Sequence, residues 1–138
     1  MRFMIILKAT RDSEAGVMPT PELLAAMGQY NEALVKAGVM QAGEGLQATS
    51  KGARVHFSGD SRSVTEGPFA DLSGVIAGFW IFKVGSKQEA IDWVKRCPNP
   101  MPGDSEIEIR QIFEAEDFGE NLTPELREAE ERLRAQIK

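Results

Sequence analysis

The stretch that decides the fold is Thr65-Glu66-Gly67-Pro68-Phe69-Ala70-Asp71-Leu72-Ser73-Gly74, which joins two strand-like runs near the middle of the chain. Gly67-Pro68 cannot continue a strand ladder, because proline has no N–H and biases the residue before it toward extended geometry. The stretch is therefore a connection between strands. Two interpretations stay open: an ordinary connection that holds Phe69 against the core, or a loop that forms part of a pocket.

A central strand follows this connection. Residues 75–84 form the longest apolar run and contain three aromatic side chains. Because side chains alternate along a strand, Phe79 and Lys83 share one face, whereas Trp80 and Phe82 share the other. Apolar residues on both faces indicate a strand that is covered on both sides.

A hairpin is predicted immediately before the connection. Residues 53–58 alternate, so that Val55 and Phe57 are expected to face the core, with Arg54 and His56 on the opposite face. Gly59-Asp60 is typical of a hairpin turn, after which residues 62–66 return as the second strand.

The rest of the chain supplies further elements with recognisable start and stop signals. They are a strand at 2–8, a polar loop at 10–18, a helix from a Thr20-Pro21 cap to Gly38, a helix from a Ser86 cap to Pro98, a strand at 106–113 and a last helix opened by Thr123. Two helical connections that each return to a sheet predict a ferredoxin-like α+β fold with an extra β-hairpin. Two long helices cover one sheet face, so we expect the other face to pair with a second copy of the chain.

The C-terminal helix is predicted to be an appendage. Its narrow apolar stripe consists of Leu126, Ala129, Leu133 and Ile137. We therefore divide the chain into a domain at 1–118 and a helical extension at 119–138. A short solitary helix is marginal in water, so we expect this one to dock on its own domain or on the other subunit.

Composition bounds the function. The chain has 138 residues, 42% hydrophobic and 27% charged, with a net charge of −5, which predicts one domain with no affinity for nucleic acid. The lone Cys97 excludes an intramolecular disulfide and a cysteine-based zinc cluster. The apolar run at 3–7 is too short for a signal peptide or a membrane span. We expect a cytoplasmic protein with no membrane association.

Three carboxylates near glycines are the catalytic candidates: Glu44, Glu66 and Asp71. In a partly apolar cavity such a carboxylate would have a raised pKa and act as a general acid or base. The candidates for binding a substrate are Arg54, His56, Phe69, Phe79, Trp80 and Lys83. The alternative is that the loop carboxylates bond only to backbone N–H groups of their own loop, that Glu44 is an exposed turn residue, and that Arg54 and His56 are a solvated strand face.

No cofactor or metal is expected. The chain has one histidine and lacks a glycine-rich nucleotide loop.

Four motifs carry a resemblance. They are Gly43-Glu44-Gly45-Leu46, Glu66-Gly67-Pro68-Phe69, Ala77-Gly78-Phe79-Trp80 and Arg96-Cys97-Pro98. In this order they resemble the YCII-related proteins, also called the DGPF-domain family, from Met1 to about the final helix. The resemblance implies a ferredoxin-like chain that pairs into a dimeric α+β barrel. It implies little about activity, because some relatives look like small-molecule lyases or dehalogenases and others sit beside sigma factors.

The chain departs from the family pattern at polar positions. Glu66 stands where aspartate is usual, Gln47 where many relatives have histidine, and Ser73-Gly74 in place of a Lys-Glu pair. We therefore favour a small-molecule-binding or regulatory homodimer. The alternative is a small-molecule lyase, isomerase or dehalogenase that uses carboxylate acid/base chemistry in a barrel pocket.

Overall fold

The computed structural model describes residues 1–137, which form six strands and four helices. The elements are β1 (Arg2–Lys8), α1 (Arg11–Glu14), α2 (Pro21–Lys36), β2 (Met40–Gly45), β3 (Ala53–Ser58), β4 (Ser61–Glu66), β5 (Ile76–Lys83), α3 (Lys87–Lys95), β6 (Ile107–Gln111) and α4 (Pro124–Gln136). Short 3₁₀ segments at Thr49–Lys51 and Ala115–Asn121 complete the described chain.

Four strands form one antiparallel sheet in the order β2-β5-β1-β6. This order and the two helical connections, α2 and α3, confirm the predicted ferredoxin-like α+β fold. β5 is central, as its apolar run predicted, and pairs with both β1 and β2. Within one chain the sheet is open at β2 and β6.

The core lies between this sheet and the helices α2 and α3. Phe3 pairs with Phe82 and Ile5 with Trp80 across β1 and β5, and all four side chains are buried. Tyr30, on the predicted apolar stripe of α2, is buried with them. Trp80 is only 7% exposed, and its indole N–H donates to Asn31 Oδ1 at 2.9 Å. The face of β5 that carries Trp80 therefore belongs to the core.

The other sheet face, which we call the outer sheet face, carries Met4, Ile6, Phe79 and Ile81. Met4 pairs with Ile81 and Ile6 with Phe79, and all four side chains are half-buried. They lie on the side of the sheet opposite the core cluster. This face is apolar at the centre, as the two-sided apolar pattern of β1 and β5 predicted.

The predicted hairpin forms, but its predicted orientation is wrong. β3 and β4 pair only with each other, and Val55 and Phe57 are 54% and 68% exposed instead of facing the core. Alternation in a sequence shows which residues share a strand face, but it does not show what lies against that face. Val55 pairs with Val64, so the hairpin carries an exposed apolar side of its own.

Two other segments differ from the sequence prediction. The loop predicted at 10–18 contains α1, which begins with reciprocal hydrogen bonds between Thr10 and Ser13. The glycine-rich segment around Glu44 is the strand β2, not a turn. Glycine has low strand propensity, so the alternation that marks a strand is hidden in this segment.

The C-terminal segment is tied to β1 by an ion pair. Arg2 Nε donates to Glu114 Oε1 at 2.8 Å, just after β6. Beyond it α4 begins at a Thr123 cap, as predicted. Leu126 and Leu133 on its apolar stripe are 55% and 59% exposed, so the single chain leaves that stripe largely uncovered. Lys138, the last residue of the predicted extension, lies outside the described residues.

Candidate functional site

The loop that follows β4 borders two open grooves that share Phe69. The first groove, about 490 Å³, is lined by Arg11, Glu14, Ala15 and residues 68–72. The second groove, about 380 Å³, is lined by residues 46–49, Lys51, Gly52, Arg54, Phe69 and residues 74–76. The loop therefore borders grooves at the surface, and Phe69, which lines both of them, is itself half-buried.

Gly67 packs the start of the loop against the 3₁₀ segment. Its N–H donates to the carbonyl oxygen of Gly52 at 2.9 Å, and the Gly67-Pro68 peptide bond is cis. A Cβ atom at Gly67 would lie 1.7 Å from the carbonyl oxygen of Thr49. Only glycine fits here, because no side chain tolerates that approach to backbone.

A chain of hydrogen bonds joins Glu14, Thr49 and Phe69. Glu14 accepts from Thr49 twice: Oε1 from the backbone N–H at 3.0 Å, and Oε2 from the hydroxyl. Thr49 Oγ1 in turn accepts from the Phe69 N–H at 3.0 Å. Three segments that are distant in sequence are thus fixed together at Phe69.

Arg54 lies over the ring of Phe69. Its guanidinium carbon is 3.7 Å from the ring centroid, a cation–π contact at the wall of the second groove. Lys51 lines the same groove and adds a second positive charge. Leu46, Val75 and Ile76 supply apolar surface. The second groove therefore combines positive charge with apolar surface.

The three candidate carboxylates lie on different elements and are all exposed. Glu44 is on the edge strand β2 opposite Phe79, and Glu66 is the last residue of β4. Asp71 lines the first groove and accepts from the Ser73 N–H at 3.0 Å. This backbone hydrogen bond, then the Ser73 side chain and the charge of Arg54, lower the pKa of Asp71. That shift is opposite to the one expected of a general acid.

Comparison with known proteins agrees with this architecture. The family model of the YCII-related domain matches residues 1–116. The chain belongs to the YCII-related domain family. It is also similar to an uncharacterised protein of Rhizobium meliloti (strain 1021), with 28% identity over 78 residues, or 56% of this chain and 63% of that protein. The chain thus matches less than two thirds of that relative's length.

The other predicted binding residues of this YCII-related domain are dispersed. His56 is exposed on the hairpin face that also carries Arg54. Phe79 lies on the outer sheet face, Lys83 is exposed at the end of β5, and Trp80 is in the core. Of the six binding candidates, only Arg54 and Phe69 line the second groove.

Sequence reasoning missed Glu14, Thr49 and Lys51. Glu14 and Thr49 are 35 positions apart in segments of no regular pattern, so nothing in the sequence marks their pairing.

Cys97 in this YCII-related domain lies just beyond the end of α3, where it is half-buried against the core. Burial raises the pKa of the thiol to about 11, which keeps it protonated at neutral pH.

Among residues 1–137, no group of three or more His, Cys, Asp and Glu side chains is placed to hold a metal ion. None of the helices in the described part of the chain is long and apolar enough to cross a membrane.

Proposed function

We propose that this protein is a small-molecule-binding homodimer that takes an anionic ligand with a flat apolar body in the second groove. The observation that carries the proposal is the position of Arg54, 3.7 Å over the ring of Phe69 at the groove wall. We further propose that it acts in the cytoplasm, which its single, half-buried cysteine supports.

The chemistry of a stacked guanidinium supports an anionic ligand. An arginine on an aromatic face keeps its N–H donors in its own plane, where they match the two oxygens of a carboxylate. The ammonium group of Lys51 adds a point charge at the same groove. The apolar side chains of Leu46, Val75 and Ile76 suit an aromatic or alicyclic body.

Acid/base catalysis receives less support from the site. Asp71 has a lowered pKa, so it holds its negative charge at neutral pH and is a poor proton donor. Glu44 is on an edge strand of the main sheet and Glu66 is in the hairpin, so the carboxylates do not converge on one groove. Binding without catalysis is therefore the function that we propose.

The outer sheet face supports the homodimer. It presents apolar side chains from both central strands (Met4, Ile6, Phe79 and Ile81), and these pair with one another across the sheet. Contiguous apolar surface on a sheet is normally covered, and a second copy covers it with closed two-fold symmetry. Two sheets packed in this way give the dimeric α+β barrel.

The test of ligand class is calorimetric titration with benzoate, phenylacetate and the uncharged analogue benzamide. We expect the two carboxylates to bind and benzamide not to bind. Arg54→Gln should weaken benzoate binding about tenfold or more, because a charge-assisted hydrogen bond is lost. Arg62→Gln is the matched control, since Arg62 makes the other cation–π contact of the hairpin, with Phe57 at 4.4 Å. Equal benzoate affinity in Arg54→Gln and Arg62→Gln, or no binding by the unmodified protein, overturns the proposal.

A further inference from the structure

We infer that Glu14 is a positioning residue for the second groove: acting through Thr49, it fixes Phe69 and so sets the affinity for the anionic ligand. This inference rests on the proposed function of that groove. Glu14 lines the first groove and not the second, so its effect on the ligand is indirect.

The hydroxyl group of Thr49 has a single proton to donate. A hydroxyl group has one donor and two acceptor lone pairs. Because this proton is donated to Glu14 Oε2, the oxygen is left to accept, and it accepts from the N–H of Phe69 at 3.0 Å. The carboxylate thus determines which way the hydroxyl points and therefore what it offers to Phe69.

A carboxylate is the side chain that fits both bonds to Thr49. Oε1 and Oε2 each accept one hydrogen bond, from the backbone N–H and from the hydroxyl. A glutamine has one oxygen and one NH₂ group, so one of the two Thr49 donors would face another donor. If the NH₂ group faces the hydroxyl, the hydroxyl proton loses its acceptor and has to turn away from residue 14, which changes the lone pair that the oxygen offers to the Phe69 N–H. The exchange of one atom type therefore disturbs Phe69 without changing the size of the side chain.

The consequence at the groove follows from the backbone of Phe69. The ring lies beneath Arg54, and ring and guanidinium together form one wall of the second groove. The hydrogen bond from the Phe69 N–H to Thr49 Oγ1 fixes the backbone of the residue that carries this ring. A separate hydrogen bond, from the Gly67 N–H to the Gly52 carbonyl oxygen, fixes the start of the loop. When the hydrogen bond to Thr49 is weakened, the Phe69 ring and the Arg54 guanidinium stacked on it lose their fixed position. Ligand affinity then falls, because binding has to order these two groups again.

Three variants test the inference: Glu14→Gln, Thr49→Val, which removes the hydroxyl at similar volume, and Thr49→Ser, which keeps it. The first readout needs no ligand and is the hydrogen-exchange rate of the Phe69 amide, measured by NMR. We expect exchange at least tenfold faster in Glu14→Gln and Thr49→Val, near the original rate in Thr49→Ser, and unchanged for the amides of β5. The control is Glu22→Gln, an exposed carboxylate in the first turn of α2.

The second readout is calorimetric titration of the same variants with benzoate. We expect affinity to fall about fivefold or more in Glu14→Gln and Thr49→Val and to be kept in Thr49→Ser. Unchanged Phe69 exchange in Glu14→Gln overturns the inference, and so does faster exchange with unaltered benzoate affinity. Faster exchange in the variants of a protein that does not bind benzoate at all overturns the proposed function and leaves Glu14 as the residue that fixes Phe69.

Discussion

Gly43 on β2 lies directly across the sheet from Trp80 on β5. A Cβ atom at Gly43 would come within 2.7 Å of the indole Cδ1 atom and 2.8 Å of the Met40 Cε atom. The glycine before Glu44 therefore makes room for the buried indole. One interpretation of the sequence placed Glu44 in an exposed turn, whereas the glycine beside it is required by core packing within a strand.

Gly43→Ala should lower the free energy of unfolding by about 1–3 kcal/mol, because the added methyl group overpacks the region next to Trp80. The matched control is Gly45→Ala in the same strand, where an added Cβ meets nothing within 4 Å. Urea denaturation of both variants measures the difference. Equal stability of the two variants would show that the indole moves aside without cost.

The outer sheet face should be the dimer interface. We expect light scattering at micromolar concentration to give a mass near twice 15.2 kDa for the unmodified protein. Ile81→Glu should give a monomer, because it places a charge at the centre of the apolar face that the second copy covers. Val64→Glu, on the exposed apolar side of the hairpin, is the comparison and should remain a dimer. A monomer produced by Val64→Glu alone would place the interface on the hairpin.

Removal of residues 123–138 should leave the fold intact, since every strand and both long core helices precede α4. Its apolar stripe is largely exposed in the single chain. We therefore expect the truncation to weaken the dimer and to raise its dissociation constant at least tenfold, in line with burial of two aliphatic side chains. Sedimentation equilibrium of the full and shortened proteins provides the measurement. A shortened protein that fails to fold would refute the division at residue 118, and an unchanged dissociation constant would mean that α4 does not dock on the other subunit.

The Arg2–Glu114 pair should weaken in acid. The hydrogen bond from Arg2 lowers the pKa of Glu114. The pair therefore contributes its full stability above the ordinary pKa of a glutamate, and this contribution is lost as the pH falls through the lowered pKa. Glu114 is partly exposed, so we expect Glu114→Gln to cost only about 0.5 kcal/mol at pH 7, and less once the pH has fallen below the lowered pKa of Glu114. Thermal unfolding of both proteins across this range tests the sign. A cost that grows with acidity would contradict the assignment.

The sequence predicted the elements that carry local signals. Thr20-Pro21 and Ser86 cap α2 and α3, and the long apolar run of β5 marks a central strand. Signals of this kind act within a few residues, so periodicity and capping preference reveal them.

The orientation of the hairpin and the composition of the grooves were not predictable in this way. Val55 and Phe57 alternate as core residues do, yet β3 and β4 form a separate two-stranded sheet whose apolar side is exposed. Glu14 and Thr49 meet across 35 positions, and a pairing at that distance has no local pattern. The loop itself could be predicted because Gly67-Pro68 is a local signal for a connection. Glu14, whose carboxylate holds Thr49 beside the loop, has no comparable signal in the sequence around it.

The burial of Trp80 has a spectroscopic consequence. The two tryptophans of the chain, Trp80 and Trp93, belong to the helix-side core, and neither lines a groove. The phenol of Tyr30 joins them, with its ring 5.6 Å from Trp80 and its hydroxyl donating to the Trp93 carbonyl oxygen at 2.7 Å. Intrinsic fluorescence will therefore report the unfolding of the core and stay nearly silent when a ligand enters beside Phe69. The protein carries an internal optical probe that separates its stability from its binding.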